Sequence, residues 1–410
     1  MEDISFAEAY RITMSGVVPL SAVSVSVISA VGRVVVDDIV ALATSPDSDV
    51  SLKDGYAVRS ADVSEASEST PIILDLQGTL MAGGVFARNV PIGAAVRIMS
   101  GAALPTGTDA VVSQEFSSDD GKYVSVVRHV AKGQNVLPRG TDVESGEVVM
   151  EKGTMLGPAH LGLAVAAGLS SVRVHRRPVV ALVATGDELL APGASIEQGK
   201  IFASNLVSVA AWCDLFGFAY SASVIADEEG AIASAVRGHA GQVDCLVTSG
   251  GAWKGERDLI VQVLEMLGWE QHYHRVRMGP GKAVGFGFLD GTAVFCLPGG
   301  PPSNQTAFIQ LVLPALMRMS GSDRMPLPVA QATLAQEVKG QSDWAQFIYG
   351  GLTTREGILT FVPVAMQSRL RAMAEADGLI SIPEGVESIH AGARVDVQVL
   401  PFRSGDGLKR

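Results

Sequence analysis

Between residue 178 and about residue 321, short apolar runs alternate with longer amphipathic ones. Residues 179–184, 220–225, 243–247 and 293–297 each have the length and composition of a strand buried on both faces, with Asp244 the one break in the third. Helical patterns lie between and after them. Residues 205–217 form one, with Asn205 as a candidate N-cap. In another, Ile260, Val263, Leu264 and Leu267 share a face before Gly268 stops the run. The last runs from the Pro-Gly-Gly-Pro-Pro-Ser turn at 298–303 to about Met319, with a kink expected at Pro314. Strand then helix, repeated, predicts a doubly wound α/β domain with a parallel sheet. Ligands of such a sheet bind beyond the carboxyl ends of its strands.

Elsewhere the texture differs, and five segments are predicted. Residues 1–48 read as an N-terminal helical segment, in which Phe6, Ala9, Tyr10 and Met14 share a face and a second run ends near Val40. Residues 49–137 carry short alternating runs such as PIILDL and YVSVV between Gly, Pro and Asp, the pattern of a small all-β insertion. Residues 138–177 form a linker domain with a small-residue helix at 159–168. The α/β domain spans 178–325, and 326–410 returns to short β runs as a C-terminal β domain.

The totals narrow the function. Of 410 residues, 47% are hydrophobic and 18% charged, and mean hydropathy is +0.29, so large cores are expected rather than disorder. A formal charge of −12 argues against sequence-independent nucleic-acid binding and requires local cations or a metal for any anionic substrate. Cys213, Cys245 and Cys296 are too scattered for a zinc site or a disulfide framework, and free thiols suit a reducing, cytoplasmic setting. The opening MEDISFAEAY has no signal-peptide pattern. The apolar run 17–36 is broken by Pro19, serines, Gly32 and Arg33, so no membrane span is expected.

One stretch, VDCLVTSGGAWKGERD at 243–258, organises the chemistry. A strand runs into the turn Ser249-Gly250-Gly251, then Gly255 and Glu256-Arg257-Asp258, then a helix. That order points free backbone N–H groups at an anion. The loops bearing Glu188, Asp227 and Asp258 all lie at the same rim of the predicted sheet. Carboxylates beside anion loops suit Mg²⁺ held with phosphate oxygens, although any one of them serves equally as a helix N-terminal acid. Lys282 in the turn Met278-Gly-Pro-Gly-Lys282 is either a phosphate contact or a solvated turn lysine. His272 and His274 alternate on a strand without acidic or cysteine neighbours and are read as structural. Trp253 in the glycine loop either stacks on a ring or plugs the site.

Six segments in order, SLKDGYAV (51–58), RIMSGAALPTGTDAVV (97–112), VALVATGDELLAPG (180–193), SGGAWKGERD (249–258), GPGKAVGFG (279–287) and CLPGGPPSN (296–304), resemble the molybdopterin molybdenumtransferase family, which includes the E domain of gephyrin. The resemblance covers nearly the whole chain. It implies a homodimeric enzyme that takes adenylylated molybdopterin and molybdate or tungstate and releases AMP with Mg²⁺ as metal dithiolene forms. By matched motif it implies that Asp54, Ser100, Glu188, Asp227 and Asp258 carry the chemistry. It implies Mg²⁺ at Glu188, Asp227 and Asp258. It also implies substrate contacts from Thr185, Gly186, Asp187, Ser249, Gly250, Gly251, Gly255, Lys282, Pro298, Pro301 and Arg369. Departures concentrate at the oxyanion subsite. Gly279 stands where the family has a first lysine, Tyr349 where it has an arginine and Arg369 where it has a serine; outside that subsite, Gly300 stands where it has an asparagine. Lys53 and Trp253 also depart. Retained acids favour a transferase, the altered oxyanion subsite favours a non-catalytic carrier of molybdopterin or its metal-loaded form, and a scaffold is the third reading.

Overall fold

The computed structural model describes residues 3–250, 259–365 and 369–402, and the chain divides into two compact units, residues 24–174 and residues 1–23 with 175–410. In the larger unit the predicted strand–helix rhythm gives β1 Val179–Thr185, α1 Ser204–Phe216, β2 Ala219–Ile225, α2 Glu229–His239, β3 Cys245–Ser249 and α3 Leu259–Met266. β4 Glu270–His274, β5 Gly285–Leu289 and β6 Thr292–Leu297 complete the sheet. The strand order is β2-β1-β3-β6-β5-β4. The first four run parallel, as the apolar runs require, while β5 and β4 add an antiparallel edge. That edge comes from Asp290-Gly291, both at positive φ, a two-residue turn whose twist matches a hairpin. Ala181, Val183, Leu246 and Val294 pack one face of the sheet against Ile260, Val263 and Leu264 of α3.

Asp244 is not a flaw in a strand but an anchor below one. Its carboxylate takes two hydrogen bonds from the Arg176 guanidinium, at 2.6 and 2.7 Å, and one from the Val179 N–H. Burial pushes its pKa up, but Arg176 and Val179 together hold it below the usual carboxylate value. A depressed folded-state pKa stabilises above the unfolded-state value and loses that contribution as pH falls through the folded value. Asp244→Ala is therefore expected to cost about 1–3 kcal/mol at neutral pH, less than a fully buried pair because Arg176 is partly exposed. Melting of both proteins at pH 7 and pH 3 checks this, since the difference should shrink in acid.

After β6 the chain enters a helix at Pro301–Ala307, where two prolines occupy positions whose N–H groups need no helical partner. The helix widens into a π-turn at Phe308–Val312 and resumes at Leu313–Met319. The expected kink at Pro314 is thus taken up by a π-turn just before it, which accommodates the missing N–H. Asn205 lies inside α1 rather than capping it: Ala203 is the cap residue and makes no side-chain bond.

The C-terminal strands Val329–Leu334, Ala345–Arg355, Ile358–Pro363, Gly378–Ile382 and Arg394–Val399 close on themselves, because Ala345–Arg355 pairs with both Ile358–Pro363 and Gly378–Ile382. Leu352, Phe361, Ile380 and Val397 fill this small barrel. Strand Val276–Gly279 adds to its outer edge and Ile4–Ser5 adds beyond that, so the turn bearing Lys282 belongs to the barrel's flank.

In the smaller unit a six-stranded sheet is ordered Ala110–Ser113, Gly55–Val58, Ala94–Ile98, Ile72–Leu80, Tyr123–Val126, Ser117–Asp119. Alternate residues of its strands fill two separate cores, Tyr56, Val58 and Val112 on one face and Ala57, Val96 and Val111 on the other. The predicted second N-terminal helix is absent. Phe6–Gly16 is helical, but Ala22–Ser26 is a strand, Val27–Ser29 a single 3₁₀ turn, and Val34 and Val35 form bridges. The segment alternates valine with serine at period two. β-Branched side chains lose rotamers in a helix and serine competes for its backbone, so the strand wins. No helix among the described residues is long and apolar enough to cross a membrane.

Candidate active site

Three loops meet where β1, β3 and β6 end. Gly250, at φ +106°, comes so close to the loop after β1 that a Cβ there would sit 2.2 Å from the Thr185 carbonyl oxygen. Gly250 N–H donates to the Leu297 carbonyl at 3.2 Å, and a Cβ on Gly299 would lie 3.8 Å from the Gly250 Cα. The glycines are there because three backbones share one space. Asn205 donates to the Gly299 carbonyl at 2.8 Å, and Asn304 donates to both Ser249 Oγ and the Pro298 carbonyl at 3.0 Å.

The acids of the first loop are arranged by the same economy. Gly186 has no side chain because Glu188 occupies its place: a Cβ would be 2.7 Å from a Glu188 carboxylate oxygen. The buried Thr185 hydroxyl donates to Asp227 at 2.9 Å, and the Asp187 carboxylate accepts the Asp227 N–H at 3.3 Å. Thr185, Gly186, Asp187, Glu188 and Asp227 therefore form one cluster. Above it opens a cavity of about 590 Å³, lined by Thr185, Glu188, Phe202, Asn205, Ser249, Gly250, Gly299, Pro301 and Arg369 among others. Its only charged lining side chains, among the described residues, are Glu188 and Arg369. Arg369 opens the short helix Arg369–Glu375 and brings its guanidinium to the Gly300 turn, 3.8 Å from where a Cβ on that residue would stand.

Lys282 goes elsewhere. Its ammonium pairs with Asp3 at 3.2 Å and lies over the Trp344 ring, 4.5 Å from the centroid. It does not line the cavity. A Cβ on Gly279 would meet the Gln346 amide at 2.9 Å, and the buried Tyr349 hydroxyl is bonded to Thr306 at 3.0 Å. Burial raises the Tyr349 pKa to about 12, so it stays neutral at physiological pH. Pro298 is buried under the third loop and Pro301 faces the cavity. His274 is buried and His272 packs edge-on against Phe286 and Phe288; a bulge between Gln271 and Tyr273 breaks the face the two were expected to share. Gly251, Trp253, Gly255 and Asp258 lie outside the described residues.

Asp54 and Ser100 sit in the smaller unit and touch each other: the Asp54 carboxylate accepts the Ser100 N–H at 2.7 Å, and both side chains are exposed. Gly55 follows because a Cβ there would collide with the Val112 carbonyl. The roles of Asn205 and Asn304 were not anticipated. For Asn304 no local signal is available, since the helix opens Pro-Pro-Ser-Asn-Gln-Thr and one amide among four polar residues does not stand out.

Comparison with known proteins settles the family. Residues 4–168 match the MoeA N-terminal region (domain I and II), 181–318 the probable molybdopterin binding domain, and 331–400 the MoeA C-terminal region (domain IV). The molybdopterin molybdenumtransferase of Bacillus subtilis is 31% identical over 382 residues, covering 92% of this chain and 88% of that protein. The chain belongs to the molybdopterin molybdenumtransferase (MoeA) family. It is thus a transferase of molybdenum cofactor biosynthesis. Molybdopterin molybdenumtransferase 2 of Mycobacterium tuberculosis is also 31% identical, with 92% and 94% coverage. A solved MoeA protein from Pyrococcus horikoshii OT3 superposes with TM-score 0.80 at 27% identity, covering 97% of this chain and 100% of that one. The family's three regions together span both units.

Proposed function

We propose that this family member inserts molybdenum from molybdate into the dithiolene of adenylylated molybdopterin and releases AMP. The supporting observation is the cavity itself: two glycine turns and one acidic loop, from three parallel strands, surround a space with a carboxylate and a guanidinium at its wall. Backbone N–H groups of the Gly299–Gly300 turn hold phosphate oxygens, and the Gly250 turn, whose own N–H is taken by Leu297, shapes the wall beside them. Arg369, with no ion pair among the described residues, brings its guanidinium to the cavity beside the Gly300 turn, where it can meet the same anion. Thr185 and Asp187 hold Asp227 in place, and Glu188 is folded back over Gly186 to face the cavity.

Mg²⁺ suits these donors. No group of three or more His, Cys, Asp or Glu forms a ready-made metal cage among the described residues. Mg²⁺ needs none, since it takes one or two carboxylates and completes its shell with phosphate oxygens and water. Glu188 and Asp227, with Asp258, are the residues we assign to hold it. When bound, the ion neutralises charge on the phosphates as the pyrophosphate link breaks.

One observation favours the carrier reading. Lys282 is neutralised by Asp3, and Tyr349 is buried against Thr306, so Arg369 is left as the only cationic wall of the cavity among the described residues. A dianion such as molybdate needs several donors when desolvated. Arg369→Ser is therefore expected to weaken molybdate binding about tenfold or more. Titration of molybdate, tungstate and sulfate against both proteins measures it, and unchanged binding by the variant would remove Arg369 from the subsite. We assign a homodimer as the working form; a monomer in sedimentation at assay concentration would contradict that.

A further inference from the structure

We propose that Asn304 is a positioning residue that turns the Ser249 hydroxyl into a hydrogen-bond donor facing the cavity. Asn304 is 1% exposed, on the first turns of the helix beneath the site. Its side chain reaches the Pro298 carbonyl and Ser249 Oγ, both at 3.0 Å. A carbonyl oxygen only accepts, so the atom facing Pro298 is the amide nitrogen. That nitrogen carries two hydrogens, and the second goes to Ser249 Oγ. Ser249 Oγ therefore accepts from below. Its own hydrogen is left to donate elsewhere, and Ser249 lines the cavity.

The same amide ties two turns together. Ser249 precedes Gly250 and Pro298 precedes Gly299, and neither glycine has a side chain to hold it. Besides Asn304, the bond from the Gly250 N–H to the Leu297 carbonyl links these turns directly. The inference rests on the cavity being the substrate site, but the orientation of Ser249 follows from the amide alone.

An isosteric substitution separates positioning from packing. In Asn304→Asp an oxygen replaces the nitrogen that faces both groups: it would be repelled by the Pro298 carbonyl and would capture the Ser249 hydrogen. The donor into the cavity would be lost even though Ser249 is unchanged. AMP affinity in MgCl₂ is measured by calorimetry for wild type, Asn304→Asp, Ser249→Ala and the double variant. Each single variant is expected to bind AMP about tenfold more weakly, and the double no more weakly than the worse single. Additive losses, or wild-type affinity in Asn304→Asp, would overturn the proposal. Residues in contact couple in either case, so melting is measured alongside: unchanged melting of Asn304→Asp with weakened AMP binding assigns the coupling to the lost donor rather than to packing. If Asn304→Asp fails to fold, Asn304→Ala replaces it in the same cycle. If wild type itself binds no AMP, the proposed function fails separately. Amide hydrogen exchange over 247–250 and 298–300 then decides the role of Asn304: faster exchange in both segments of the variant supports it, and unchanged exchange overturns it.

Discussion

Glu188→Gln is expected to reduce AMP release by about 100-fold or more while leaving the fold intact. The side chain is exposed, is folded over Gly186 and makes no side-chain hydrogen bond among the described residues. Exchanging one oxygen for an amide removes a negative charge and nothing that packs. The stability cost should stay within about 0.5 kcal/mol, as for surface changes away from special features. Turnover is different, because the lost charge stands at the cavity wall where phosphate and Mg²⁺ are proposed to meet. The same loss is expected for Asp258→Asn on its sequence position. Steady-state AMP release and thermal melting, measured together, check both halves. Wild-type-like release by Glu188→Gln would remove it from the site, and a collapsed melting curve would make it structural.

Gly250→Ala should be the most damaging single methyl in the chain's site. Two penalties add. A φ of +106° strains any L-residue, and the new carbon would lie 2.2 Å from the Thr185 carbonyl oxygen, which is backbone and cannot swing aside. The cost is expected at about 2–4 kcal/mol, relieved only by parting the two turns. Parting them displaces the N–H groups of the Gly299–Gly300 turn that we propose hold phosphate, and an ångström of displacement is worth roughly 100-fold in rate. Gly299→Ala is the control. Its Cβ would find its nearest neighbour at 3.8 Å, an ordinary contact, so melting should not change. Equal destabilisation by the two substitutions would contradict the close-approach account.

The elements that were legible beforehand are those with one dominant physical signal. β1, β3 and β6 are unbroken apolar runs because both faces of a central parallel strand are covered. The six-stranded sheet of the smaller unit announced itself through alternation and turn residues. Segment 22–40 is apolar enough to suggest a helix, but its Val-Ser alternation has the period of a strand. The hairpin at Asp290-Gly291 was visible as a turn dipeptide but hidden by the surrounding glycine motif. At the site, Thr185 through Glu188, Asp227 and Ser249-Gly250 could be placed at one rim because strand ends define it. The path of Lys282 could not be read, since its partner Asp3 is distant in sequence and meets it through the pairing of Ile4–Ser5 with Val276–Gly279. Asn304 was equally hidden: its partners are on two different turns, and nothing local in a helix states what lies above it.

The central claim is that the cavity turns over rather than merely binds. The direct measurement follows AMP in time after purified protein is mixed with adenylylated molybdopterin, molybdate and MgCl₂, with EDTA as the parallel reaction. The account predicts multiple turnovers of AMP that require both molybdate and Mg²⁺ and that disappear in Glu188→Gln. Stoichiometric binding of the adenylylated pterin with no AMP released, under the same conditions, would contradict it and leave the carrier reading standing.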